Sequence, residues 1–139
     1  MKVLLDTNVV LDLALERYPF FDESDQVFSF VQQGLIEGYV SASTFSDLYY
    51  IIRKQKGREA TLDFLNRLAT ICLIAAVNQA VIAMALTANF RDFEDAIQYS
   101  TAVINQLDAI VTRNPQDFTV TAPQILTPNQ LIQELTDSP

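Results

Sequence analysis

The stretch Lys2-Val3-Leu4-Leu5-Asp6-Thr7-Asn8 decides the fold. An apolar run that ends on an acid and a turn describes a buried strand delivering a carboxylate at its carboxyl end. Val9-Val10-Leu11 then predicts a short helix, broken at Tyr18-Pro19. Asp22 to Gln33 carries Val27, Phe30 and Val31 on one helical face and stops at Gly34. Tyr39-Val40-Ser41-Ala42 reads as a second strand. Ser43 is placed to cap a helix with Phe45, Leu48, Tyr49 and Ile52 at helical spacing, ended by Lys54-Gln55-Lys56-Gly57.

The alternation continues to the end of the chain. Arg58 to Leu68 is a helix with Leu62, Leu65 and Leu68 inward, and Ile71 to Val77 a third strand. Asn78 caps a helix to about Ala88. Asp92 opens the most regular helix, with Ala96, Ser100, Val103 and Leu107 in one stripe. Ala109 to Thr112 and Gln124 to Leu126 are the fourth and fifth strands. Thr127-Pro128-Asn129-Gln130 is a capping box with Pro at the first helical position, so a last helix follows. No repeat or linker intervenes. The pattern predicts a single α/β domain over residues 1–139, three-layered, with a mainly parallel sheet. Strand order stays open.

Composition narrows the chemistry. The 139 residues include no His and one Cys, Cys72. That excludes imidazole-based nucleophile systems, the common zinc sites and any intramolecular disulfide. Nine Lys and Arg stand against 17 Asp and Glu, a net charge of −8. A nucleic-acid partner therefore needs clustered cations, or a metal that inverts the local field. The longest mainly apolar run, Ile71 to Val77, is far short of the ~20 residues of a membrane span, and no leader is visible. The expectation is a soluble, cytoplasmic protein with no membrane partner.

In open parallel sheets, ligands bind outside the carboxyl ends of the strands. That rule collects Asp6 after the first strand, Asp47 after the second, Asp92, Glu94 and Asp95 at the start of the 96–107 helix, and Asn114 and Asp117 after the fourth strand. Grouped carboxylates take up protons or bind a hard cation. Mg²⁺ or Mn²⁺ suits an all-oxygen set and supports phosphodiester hydrolysis without histidine. Each residue has a plainer alternative. Asp47 can be a first-turn acid favoured by the helix dipole, Asp92 an N-cap, Glu94 a solvated first-turn acid, and Asn114 and Asp117 turn formers.

Three motifs now resemble those of the PIN-domain ribonucleases, the family that includes the VapC-type toxins. They are Val3-Leu4-Leu5-Asp6-Thr7-Asn8-Val9-Val10-Leu11-Asp12, Asp92-Phe93-Glu94-Asp95-Ala96-Ile97-Gln98 and Ile110-Val111-Thr112-Arg113-Asn114-Pro115-Gln116-Asp117-Phe118. The resemblance implies a PIN-like three-layer α/β/α domain with a five-stranded sheet, and a Mg²⁺- or Mn²⁺-dependent endoribonuclease. It assigns catalysis to Asp6, Asp47, Asp95 and Asp117, with Asp6, Asp47 and Asp95 holding the metal. Asn8, Asp92, Thr112 and Asn114 would support them. Many relatives carry Glu where this chain has Asp47, and some an acid where it has Asn114. Water activated at the metal would attack the phosphodiester in line, leaving a 5′-phosphate and a 3′-hydroxyl.

The densest basic group, Arg53, Lys54, Lys56 and Arg58, is the candidate RNA contact, with a solvated helix end as the plainer reading. Tyr49 is expected to pack. Phe20, Phe21, Phe28, Phe30, Tyr49, Tyr50, Leu131 and Leu135 exceed what one small core needs, which predicts a homodimer and, for a toxin, an antitoxin chain that lays an apolar segment near the acidic groove. Two other functions compete: a non-catalytic PIN-like domain that binds RNA or protein, and a receiver-like domain phosphorylated on Asp6. The latter usually needs a Lys after a late strand, where Thr112-Arg113-Asn114 offers none.

Overall fold

The computed structural model describes residues 1–137; the last two positions of the expected 1–139 domain lie outside the described residues. Strands β1 (Lys2–Leu5), β2 (Glu37–Ser41), β3 (Leu73–Ala75), β4 (Ala109–Val111) and β5 (Gln124–Leu126) form one sheet in the order β3-β2-β1-β4-β5. All four pairings are parallel, where only a mainly parallel sheet was expected. The helices are α1 (Thr7–Ala14), α2 (Phe21–Gln32), α3 (Ala42–Lys56), α4 (Arg58–Ile71), α5 (Gln79–Thr87), α6 (Phe93–Ile104) and α7 (Pro128–Thr136).

Side chains alternate along the strands and build two cores. Val3, Leu5, Val40, Ala109, Val111 and Leu126 face one core, with Val9, Val27, Phe28, Leu48, Leu68 and Leu131 from helices α1, α2, α3, α4 and α7. Leu4, Ala75 and Ile110 face the other, with Ala102, Leu107 and Phe118. The sheet is therefore sandwiched between helical layers, as the sequence implied. Phe28, Phe30 and Leu131 are buried in this core, which removes them from the aromatic and leucine surplus expected to signal a dimer.

Several boundaries differ from the sequence reading. The α3 cap is Ser41, whose side chain accepts from the Ser43 N–H; the sequence pointed to Ser43 itself. Helix α4 runs on to Ile71, so β3 keeps only Leu73–Ala75. An apolar run such as 71–77 suits either a buried helix end or a strand, and here it is split between them. Strand β3 lies at the sheet edge, with Leu73 and Ile74 about half exposed (53% and 52%). The caps at Asn78, Asp92 and Thr127 form as read. No described helix is long and apolar enough to cross a membrane.

Chain direction positions the site. From β1 the chain adds strands on one side, β2 then β3, and returns to the other side for β4 and β5. The reversal falls beside β1, where α/β sheets open a crevice beyond the strand ends. Asp6 stands at that point. Register pairs Leu5 with Val111, so Asp6 and Thr112 emerge side by side.

Candidate active site

Asp6 ends β1 and caps α1, its backbone N–H donating to the Val111 carbonyl at 2.9 Å. Its buried carboxylate accepts three hydrogen bonds. The Thr7 N–H and the Gln98 amide Nε2 donate to Oδ1, at 2.9 and 3.0 Å. The Thr112 hydroxyl donates to Oδ2 at 2.7 Å. Elements from both ends of the chain thus hold one side chain. The Thr112 oxygen in turn accepts from the Asn114 N–H at 3.1 Å, which fixes the loop leaving β4. Asn8 works on the same loop: its Oδ1 accepts from the Arg113 N–H at 3.3 Å.

Asp6, Asp47, Glu94 and Asp95 line one cleft of about 410 Å³, with Thr7, Asn8, Ser43, Thr44 and Gln98 among its other walls. Asp92, Asp95 and Asp117 line an adjoining cleft of about 430 Å³ with Asn89, Arg91 and Gln116. Asp95 belongs to both. The expected acids therefore gather at one end of the sheet, but Asp117 faces the second cleft, from a 3-10 turn over Pro115–Asp117. Asp92 is the α6 cap, its Oδ1 accepting from the Glu94 and Asp95 N–H groups at 2.8 and 3.2 Å. That agrees with the plainer role weighed for it.

Burial and mutual repulsion shape this group. Asp95 is pushed up to about 7 by burial first, then by Asp6, Asp92, Asp117 and Glu94. Glu94 is raised by partial desolvation, then by Asp47, Asp92 and Asp6, although one side of it is open to solvent. Burial raises Asp47 as well. Asp47 sits on the second turn of α3, beyond the first turn where the helix dipole acts most strongly, so its cleft position explains it better than a dipole role.

The donor set is all oxygen and strongly anionic, which fits a hard divalent cation. Among the described residues no three acids stand close enough to ligate one ion together. The arrangement suits an ion of the Mg²⁺ type, which takes one or two carboxylates directly and keeps much of its water.

One cleft residue went unrecognised in the sequence: Gln98 is 4% exposed and touches Asp6. Glu94, collected there with the other acids, is solvent-exposed as its plainer reading has it and also lines the cleft with Asp47. The signal for Gln98 is positional, a polar residue three after Asp95 and so on the same side of α6. Arg113 turns away from the cleft. It pairs with the fully buried Asp12 at 2.7 Å and lies over the Phe20 ring at 4.1 Å. Burial raises Asp12, opposed by Arg113 and Arg17.

Arg53, Lys54, Lys56 and Arg58 are all exposed at the α3–α4 junction, where Gly57 turns the chain at φ +81°. None of them lines the acidic cleft. Arg53 lies over Tyr49 at 5.9 Å, and Lys56 borders a groove of about 430 Å³ whose walls include Leu13, Phe21, Phe28, Ile52 and Phe64. The Asn114 side chain is exposed. Tyr49 is partly buried and meets Tyr50 edge-on at 5.4 Å.

A family model described as PIN domain matches residues 2–116. The chain is similar to Ribonuclease VapC1 of Aquifex aeolicus (strain VF5), with 28% identity over 105 residues, 73% of this chain and 73% of that protein. Its fold resembles that of DNA-bound VapBC from Salmonella typhimurium, with a TM-score of 0.71 and 16% identity over 92% of this chain and 98% of that one. It also resembles a toxin-antitoxin complex from Klebsiella pneumoniae, with a TM-score of 0.67 and 23% identity over 91% of this chain and 97% of that one. These two structural likenesses speak for the fold alone.

Proposed function

The chain belongs to the PIN-domain family, and from that premise we propose that it is a divalent-cation-dependent endoribonuclease, the toxin half of a toxin–antitoxin pair. One observation carries the reading: a carboxylate held by three donors at the sheet's reversal point, in a cleft walled by three further acids. Asp6, Asp47 and Asp95 would hold Mg²⁺ or Mn²⁺ between them, one or two ligating directly and the rest through the ion's own water. When bound, such an ion supplies Lewis acidity, activating water and offsetting phosphate charge.

The chain's own residues do the rest. Thr112 and Gln98 fix both oxygens of Asp6, so its remaining lone pairs keep one direction. Asp95 stands where the two clefts meet, its carboxyl raised to about 7 by burial and the surrounding acids, so a cation bound there would favour its ionised form. Glu94 and Asp117 extend the acidic surface to either side. Asn8, Asp92 and the Asn114 backbone support the loops that carry these groups. Without a cation this surface repels phosphate, so RNA entry and ion binding are linked. Arg53 and Lys54 follow Ile51, a cleft residue, along α3 and are the proposed contacts to the RNA backbone, with Lys56 and Arg58 beyond them.

The apolar groove between α1, α2, α3 and α4 is the surface we assign to an antitoxin segment. Its support is the apolar lining and the toxin-antitoxin relatives of this fold. Exposed Leu73, Ile74 and Leu86 support the homodimer reading.

The test is RNA cleavage with Mg²⁺ or Mn²⁺. Cleavage is expected to vanish in excess chelator and in Asp6→Ala and Asp95→Ala. Activity surviving any of these refutes the proposal. A second reading, a PIN domain that binds RNA or protein without cutting, draws support from the spacing of the acids. Calorimetry that detects no divalent-ion binding at millimolar concentration favours it.

A further inference from the structure

We propose that Gln98 is a positioning residue for Asp6. The amide lies 92 positions further along the chain, on the second turn of α6, and is almost fully buried. Its Nε2 donates to Asp6 Oδ1 at 3.0 Å and makes a longer contact of 3.4 Å with the Thr44 hydroxyl. Thr44 meets the Thr7 hydroxyl at 3.1 Å, so the same amide joins α6, α3 and the start of α1 around the cleft.

The orientation of this amide is dictated by charge. A carboxylate accepts and never donates, so Nε2 must face Asp6 and Oε1 must face away. Oε1 is then buried with no partner. An unpaired buried acceptor costs free energy, and an apolar residue of the same size would avoid that cost. A chain selected for stability alone has no use for Gln here. A chain that needs Asp6 Oδ1 held from α6 as well as by the Thr7 N–H does. Thr112 fixes Oδ2, Gln98 and the Thr7 N–H together fix Oδ1, and the carboxylate cannot rotate about its χ2 axis without losing all three.

The activity arm of the test rests on the ribonuclease reading above. Gln98→Met keeps the volume and removes both the donor and the orphaned acceptor. The expected result is a melting temperature no lower than that of the parent. RNA cleavage loses ~10–100-fold in kcat, the usual effect of removing a group that orients a ligand side chain. KM for RNA stays within about twofold, because Gln98 is 4% exposed and acts through Asp6. Retained kcat overturns the proposal, and so does a kcat loss matched by a fall in melting temperature, which marks a structural role.

A second arm needs neither RNA nor an ion. In ¹⁵N NMR spectra the Gln98 side-chain NH₂ is expected to resist hydrogen exchange in the parent and in Thr112→Val, and to lose protection in Asp6→Ala. An NH₂ that exchanges freely in the parent, or is indifferent to Asp6→Ala, overturns the proposal. Gln98→Glu keeps the shape and places an oxygen against Asp6, so it too is expected to lose kcat. Should the parent prove inactive while the NH₂ is protected through Asp6, the ribonuclease reading fails and the positioning of Asp6 stands.

Discussion

Replacing Asp95 by Asn should make the protein more stable and less active, and the structure sets the size of the gain. The Asp95 carboxyl moves from 3.8 to about 7 on folding, through burial and four neighbouring acids. At about 1.4 kcal/mol per pH unit, that is about 4 kcal/mol of preference for the protonated form. Asp95 is partly solvated, and screening halves the figure to roughly 2 kcal/mol. The folded chain holds this proton more tightly than the unfolded chain between pH 4 and pH 7. Stability is therefore lost as pH rises through that window and levels off above it.

Asn carries no charge at any pH, and its backbone N–H keeps the Asp92 cap. Asp95→Asn should therefore melt about 6–8 °C above the parent at pH 8, at about 3–4 °C per kcal/mol for a domain of this size. The difference should shrink toward zero near pH 4. Differential scanning calorimetry of both proteins across pH 4 to 8 measures it. Equal melting temperatures at pH 8, or a gain of the same size at both extremes, would refute the electrostatic account of this cluster. Mg²⁺ at millimolar concentration should raise the melting temperature of the parent more than that of the variant, since bound ligand stabilises the form that binds it.

Other expectations follow from single contacts. Thr112→Val removes the donor to Asp6 Oδ2 and should lower RNA cleavage ~10–100-fold, read from initial rates. Arg113→Ala leaves the buried Asp12 with only the more distant Arg17, at 4.0 Å, and should cost about 3–5 kcal/mol in urea unfolding; a loss below about 1 kcal/mol contradicts a buried ion pair with Arg113. That loss should be smaller at pH 4 than at pH 8, because burial already raises Asp12 toward the protonated form. Gly38→Ala sets a Cβ 2.9 Å from Val31 and 3.3 Å from Cys72 Sγ, so it should destabilise by about 1–3 kcal/mol, with activity per folded molecule unchanged.

The sequence made the sheet and its acids legible for a simple reason. Buried parallel strands are short apolar runs, and Asp6 ends one of them. Asn78, Asp92 and Thr127 announced helix starts because caps are local chemistry, complete within three or four residues. Ser41 and Ser43 were confused because either serine can cap within the two-residue uncertainty of a helix end. The 71–77 run was misdivided because its apolar residues suit a helix end as well as a strand. Gln98 stayed invisible for another reason. Its meaning depends on Asp6, and nothing within reach of a helical period points to a partner 92 residues away. Arg113 shows the same limit: its pairing with Asp12 crosses the whole chain, so its basic character alone suggested no role in the core.

The position of β4 beside β1 has a consequence for the order in which the protein is made. Asp6 leaves the ribosome well ahead of the hydroxyl that orients it, which arrives 106 residues later. Until Thr112 is synthesised and its strand docks, β1 lacks one neighbour and the bond to Asp6 Oδ2 has not formed. A nascent chain therefore carries its acids without the geometry to use them. Assembly of the cleft waits for β4, and no chain that stops short of Thr112 can present Asp6 in its final geometry.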